Sequence, residues 1–255
     1  MTSRWTTVAG EEIRDQWIRG WWPWVAFGMS VVLSMVALGM AYTSRVNLLD
    51  AREGMNILVR ISVGAALGLM LLDAADSVSW ERDRSTLESL LLTPLDGRSL
   101  VFGKLFASWF LWLVVFLITV PYLWVLGTGL GMRSVGIGAA LIVGAALAVL
   151  SGVWAMMFSL RSSSSTVSII ATLGTVLALA VPAQIPGRFM EGTVGTAVRA
   201  IDPITAALEF LDRVLIGGEG LAGSSTWLVG PLAWSAASLI VLYRFARTID
   251  MDPGS

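Results

Sequence analysis

The two side chains most versatile in catalysis are missing from this sequence: its 255 residues include no histidine and no cysteine. That removes disulfides, thiolate chemistry, the usual zinc sites and every mechanism that needs an imidazole. The ionisable groups of the second apolar stretch are Arg60, Asp73 and Asp76. Asp73, Asp76 and Trp80 recur at i, i+3 and i+7 and so share one helix face. Two carboxylates near the end of one helix do not make the facing pair that an aspartyl protease needs. Such charges are either interfacial or belong to a transport path or a helix coupling, and both readings stay open. The run Gly97-Arg-Ser-Leu-Val-Phe-Gly-Lys-Leu105 approaches a phosphate-binding loop, which requires G-x-x-x-x-G-K-[ST]. Here five residues separate the glycines, and Leu105 stands where a magnesium-binding hydroxyl should be. No nucleotide site and no cofactor is expected in this chain.

The elements that carry these residues are membrane helices. The chain is 56% hydrophobic and 14% charged, with a mean hydropathy of +0.76. Soluble domains carry roughly 25% charged residues, so lipid must cover much of the surface. A net charge of −1 offers no electrostatic case for nucleic acid. Met1 to Gly20 is too polar for the apolar core of a secretory signal, and none is expected.

A helix crossing a bilayer needs roughly 20 apolar residues. Trp24–Tyr42 supplies the first span, and the third runs from near Lys104 to about Leu126, before a turn at Gly127, Gly129 and Gly131. The uncharged stretch from Arg133 to Arg161 is the fourth, Ser162–Gly187 the fifth and Gly220–Tyr243 the sixth. The second is less clean. Ile61–Leu72 would reach only about 18 Å. Starting at Met55 makes it long enough but encloses Arg60, which is expected to snorkel outward. The helix then projects past the membrane surface or turns its charged face inward. With both termini cytosolic, 10 arginines and lysines fall on the cytosolic side against 7 on the other, in keeping with the positive-inside rule. In the fourth span Gly136, Ala140, Gly144, Ala148 and Gly152 form a ridge of small residues for close helix packing, within the chain or at a subunit interface.

Three segments lie outside the spans. Val8–Trp22 places Ile13, Trp17 and Trp21 on one face of an amphipathic helix suited to the interface, ending near Pro23. Asp202-Pro203 pairs a favoured N-cap with a favoured first helical residue. Ile204, Ala207, Leu208, Leu211 and Leu215 then line one face, Glu209, Asp212 and Arg213 face away, and Gly217-Gly218 ends the helix. In the loop after the second span, Ser85 and Glu88 form a capping box, and Leu87, Leu90 and Leu91 give the short helix an apolar face. Thr93 precedes Pro94 and is pushed out of helical geometry. Asp96-Gly97 turns the chain back towards the third span. The result is a compact knob suited to docking a protein, or an ordinary interfacial helix.

That loop resembles the one in permease subunits of the ABC type 2 exporter family. The matching residues are Glu81-Arg82-Asp83-Arg84, Thr86-Leu87-Glu88, Leu90-Leu91-Leu92, Pro94-Leu95 and Gly103-Lys104, about 25 residues in the family's order. Phe158-Ser159 and Asp202-Pro203 are also similar, although the family more often has asparagine before that proline, so no role passes to Asp202. The resemblance implies an all-α, six-span protein of the bacterial cytoplasmic membrane, forming one transmembrane domain over 1–255. It divides into an elbow helix (1–23), first and second spans (24–75), a cytosolic coupling loop (76–103), third to fifth spans (104–187), an external helical segment (188–225), a sixth span (226–246) and a cytosolic tail (247–255). The chain would pair with a second permease, identical or not, and rest on two cytosolic ATPase subunits that supply ATP and magnesium. Glu81, Arg82, Asp83, Arg84, Ser85, Thr86, Leu87, Glu88, Leu90, Leu91 and Pro94 would form the ATPase-coupling site. A haem-export permease of the same class is an alternative, through Lys104 and Trp109, though the absence of histidine argues against it. A secondary transporter is another, but no duplicated halves or broken helices are evident.

Overall fold

The computed structural model describes residues 4–18, 20–45, 51–83, 97–184 and 192–248, and these are helical with no strand. The helices are α1 (Arg4–Ile18), α2 (Trp22–Arg45), α3 (Ala51–Asp76), α4 (Ser79–Asp83), α5 (Gly97–Leu130), α6 (Arg133–Arg161), α7 (Ser165–Gln184), α8 (Thr193–Ile201), α9 (Pro203–Leu211) and α10 (Val229–Thr248). A π-helical turn, Asp212–Ile216, extends α9, and a 3₁₀ turn, Ser225–Leu228, leads into α10. Five stretches are long and apolar enough to cross a membrane: Trp22–Met40, Arg52–Glu81, Gly97–Leu130, Arg133–Arg161 and Ser225–Ala246. The expected fifth span differs from these. Among the described residues its apolar stretch is the shorter Ser165–Val181.

The core is a three-helix stack of α3, α5 and α6, where Leu58, Met70, Leu111, Val115, Leu123, Ala139 and Val143 are buried together. The small-residue ridge of α6 points into this stack. A side chain on Gly144 would meet the Trp112 ring at 3.0 Å, and one on Gly152 would meet Trp109 Nε1 at 2.8 Å. On Gly136 it would strike Met55. Ala140 and Ala148 are buried, and the Ala148 carbonyl accepts from the Trp109 indole at 3.1 Å. The ridge therefore packs within the chain. By contrast α2 leaves Trp24, Phe27, Met35, Leu38 and Tyr42 exposed, an apolar surface that suits lipid.

One end of the bundle holds α1, the starts of α2 and α5, and the ends of α3, α6 and α10. Trp5 packs edge-on to Phe106, Arg98 lies over Tyr243 and Arg161 over Phe245. We call this the proximal end. The distal end carries the α5–α6 turn, the start of α3 and α9.

Four boundaries depart from the sequence expectation, one of them in the sixth span, whose helix starts at Val229 after the Ser225–Leu228 turn rather than at Gly220 and runs on to Thr248. The second span is longer, because α3 runs from Ala51 to Asp76 and so encloses both aspartates. The third begins at Gly97 rather than near Lys104 and passes through Pro121, Gly127 and Gly129 before ending at Leu130. Only Gly131 turns the chain there, at φ 66°. At Gly127 the Arg133 backbone packs close, within 2.8 Å of where a Cβ would sit, so only glycine leaves room for the chain to fold back there. Pro23 lies in the first turn of α2 rather than ending α1, as the fixed φ of proline allows.

Candidate functional site

Lys104 sits in the second turn of α5 and is only 3% exposed. A buried ammonium needs a counter-charge, and two elements supply one. Glu12 of α1 lies 3.0 Å from its Nζ, and Glu81 of α4 lies 2.8 Å away. Gly103 makes the first of these possible. A Cβ there would come within 2.7 Å of Val8 Cγ1, so glycine lets α1 lie directly on α5. Val8 and Glu12, one turn apart on α1, then cover Gly103 and Lys104. The contact of α1 with α5 is thus made by Val8 and the buried Ala9, while of the expected interfacial face Ile13 packs against the core and Trp17 and Trp21 stay exposed.

One turn further along α5, Ser108 donates to Asp73 Oδ2 at 2.7 Å. The indole N–H of the fully buried Trp22 donates to Asp73 Oδ1 at 3.1 Å. The charged face of α3 is therefore turned inward, and Asp73 ties α2, α3 and α5 together. Three residues on, Asp76 accepts from the Ser165 hydroxyl at the start of α7. The break between α3 and α4 frees backbone groups that need partners. Ser159 Oγ accepts from Val78 N–H at 3.1 Å and Ser79 N–H at 3.0 Å, and Ser168 Oγ donates to the Ala75 carbonyl at 2.7 Å. Since the helix breaks after Asp76, Trp80 belongs to α4 and is exposed.

These groups border a cavity of about 750 Å³ lined by Glu12, Asp15, Asp73, Asp76, Glu81 and Lys104, among others. The cluster joins α1, α2, α3, α4 and α5 by charge and hydrogen bonds. Ser108 is one turn from Lys104, but that ammonium is engaged by two carboxylates and has no lone pair with which to take a serine proton. Among the described residues no group of three or more acidic side chains is placed to hold a metal.

Of the expected coupling residues, the structure places Glu81 in this cluster and Arg82 and Asp83 in α4. Arg84, Ser85, Thr86, Leu87, Glu88, Leu90, Leu91 and Pro94 lie outside the described residues, as does the capping box. The Glu81–Lys104 pair brackets that segment, Glu81 standing before it in α4 and Lys104 after it in α5.

Arg60 meets a partner within the protein. Its Nη2 lies 2.6 Å from Asp212 Oδ1, and Asn56 Nδ2 donates to the same oxygen at 2.7 Å. Asp212 was expected to face away from the core. Four residues advance a helix by about 400°, so Asp212 stands only about 40° from Leu208, at the edge of the apolar face and beside α3. Arg213 does face away, pairing with Glu209 and Glu219 over the Trp227 ring. Asp202 caps α9 as expected, accepting from Thr205 N–H at 2.7 Å.

The sequence reading missed Glu12, Trp22, Ser108, Asn56 and Asp212 as partners. Lys104, a single cation in a long apolar run, was the signal that counter-charges must exist. No protein-family model matches this chain, and no curated protein does.

Proposed function

We propose that this chain is the transmembrane permease subunit of an ATP-driven exporter similar to the ABC type 2 class. The supporting observation is the Glu12–Lys104–Glu81 cluster. It braces, at one point, the stems on either side of the segment whose sequence carries the docking pattern, and it adds α1 to that brace. A force applied to residues 84–96 would reach α3 through α4, α5 through Lys104, and α1 through Glu12, so a partner docked there would move three elements together.

In this reading α2, α3, α5, α6, α7 and α10 are six membrane crossings, α1 is the interfacial elbow, and the proximal end with both termini faces the cytosol of a bacterial cell. The segment after Ser85 docks on separate ATPase subunits, which bind ATP and magnesium. A second permease subunit completes the pathway.

The test is affinity purification in mild detergent. Copurification of an ABC ATPase, lost on Glu88→Arg, is the expected result. No ATPase in the wild-type eluate, or one unmoved by the charge reversal, would sink the coupling assignment.

A further inference from the structure

Between α3, α6, α7 and α9 lies a second cavity, of about 180 Å³, separate from the acid-lined one. Along α3 its wall runs from Arg60 to Leu71, about 16 Å at helical rise. Val63, Leu67, Leu147, Leu179 and Leu208 are among the residues that line it. The polar groups in the wall are nearly all satisfied within the protein. Ser151 Oγ donates to the Leu147 carbonyl, Thr175 Oγ1 to the Ala171 carbonyl, and Trp154 Nε1 to Ser238 Oγ. The exception is at the distal end. Arg60 spends Nη2 on Asp212, while its Nε–H is buried with no partner among the described residues. Gly64 opens the wall in the middle, since a Cβ there would meet nothing within 4 Å.

Arg60 Nε is enclosed by protein atoms and is not presented to the cavity, so water there would find few partners, and a buried water normally makes about three hydrogen bonds. An apolar chain fits the walls. The geometry points to a binding site for one acyl chain of a membrane lipid, its methylenes running between Arg60 and Leu71 past Gly64. This goes beyond the transport reading and does not depend on it. The chain can belong to a resident lipid or to a lipid in transit, and the two are distinguished by exchange.

The test uses the whole protein reconstituted in phosphatidylethanolamine–phosphatidylglycerol vesicles containing phosphatidylethanolamine with a diazirine in one acyl chain. After illumination, label is mapped by peptide mass spectrometry and compared with label on the exposed face of α2. The expected result is label on the Val63–Leu71 and Leu147–Trp154 peptides. It is lost in Gly64→Phe and in Thr175→Phe, which fill the groove from opposite walls, while α2 stays labelled. Label confined to α2 in the wild type would overturn the site, as would groove label that survives both filling variants. Dilution into unlabelled vesicles before illumination then separates the sources. Label that persists identifies a resident lipid, and label that is lost identifies one that exchanges; either result keeps the site.

Discussion

Lys104 Nζ lies 2.8 Å from Glu81 Oε1, so an ion pair joins the residues just before and after the 84–96 segment. Glu12 makes the same ammonium a three-way junction. The charges are unequal in burial: Lys104 is almost fully enclosed, while Glu12 and Glu81 are 28% and 18% exposed. Most of the electrostatic consequence of a mutation therefore depends on which partner is removed.

Lys104→Met is expected to destabilise the protein by about 3 kcal/mol, because it leaves two partly buried carboxylates facing each other. Glu12→Gln or Glu81→Gln alone should have a smaller effect, since the ammonium keeps one counter-charge. Thermal unfolding in detergent checks the order. A Lys104→Met midpoint above that of both glutamine variants would contradict it.

Asp73 distinguishes charge from hydrogen bonding. Asparagine can still accept from Trp22, and Ser108 can turn its donor towards the Lys104 carbonyl, 3.3 Å away. Leucine leaves the Trp22 indole without its acceptor, a loss of about 1–3 kcal/mol. Asp73→Leu should therefore melt lower than Asp73→Asn under the same conditions.

The ridge on α6 supports a prediction about assembly. Gly152→Leu forces a side chain into Trp109, Leu105 and Met70, and overpacking of this kind costs about 1–3 kcal/mol. Its effect should fall on stability and yield, with the oligomeric state of the surviving protein unchanged by light scattering. A clean shift in subunit number would mean that the ridge meets another chain.

At the distal end, Arg60 and Asp212 retain 35% and 42% of their side-chain exposure. An exposed pair contributes about 0–1 kcal/mol. A double-mutant cycle with Arg60→Met and Asp212→Leu should give a coupling energy in that range, well below the effect of Lys104→Met.

Much of the helical framework is legible in the sequence because it depends on local pattern. Arg133 and Arg161 bound α6 as they bound the uncharged run, and Asp202-Pro203 starts α9 where N-cap chemistry places it. The partners are not legible in the same way. Glu12 and Lys104 are 92 residues apart, and no periodicity links them. The contact of α1 with α5 was not legible, because Val8 and Ala9 are too small to mark a face, yet that small volume lets the helix lie close to Gly103. Asp212 was misplaced because a polar residue at the edge of an apolar face resembles one on the far side.

Helix α3 is anchored near both ends: Asp73 and Asp76 hold it to α2, α5 and α7, while Asn56 and Arg60 hold it to the π turn after α9. Between these anchors stand Gly64 and Gly68, one turn apart, each with open space where a side chain would be. Glycine within a helix costs about 1 kcal/mol relative to alanine, so α3 is a strut clamped at its ends and weakest at its middle. Bending it is easiest there, and amide exchange should be faster at Gly64–Gly68 than in the flanking turns. Gly64→Ala with Gly68→Ala would stiffen the strut without filling its surroundings, so flexibility in α3 can be tuned separately from the clamps.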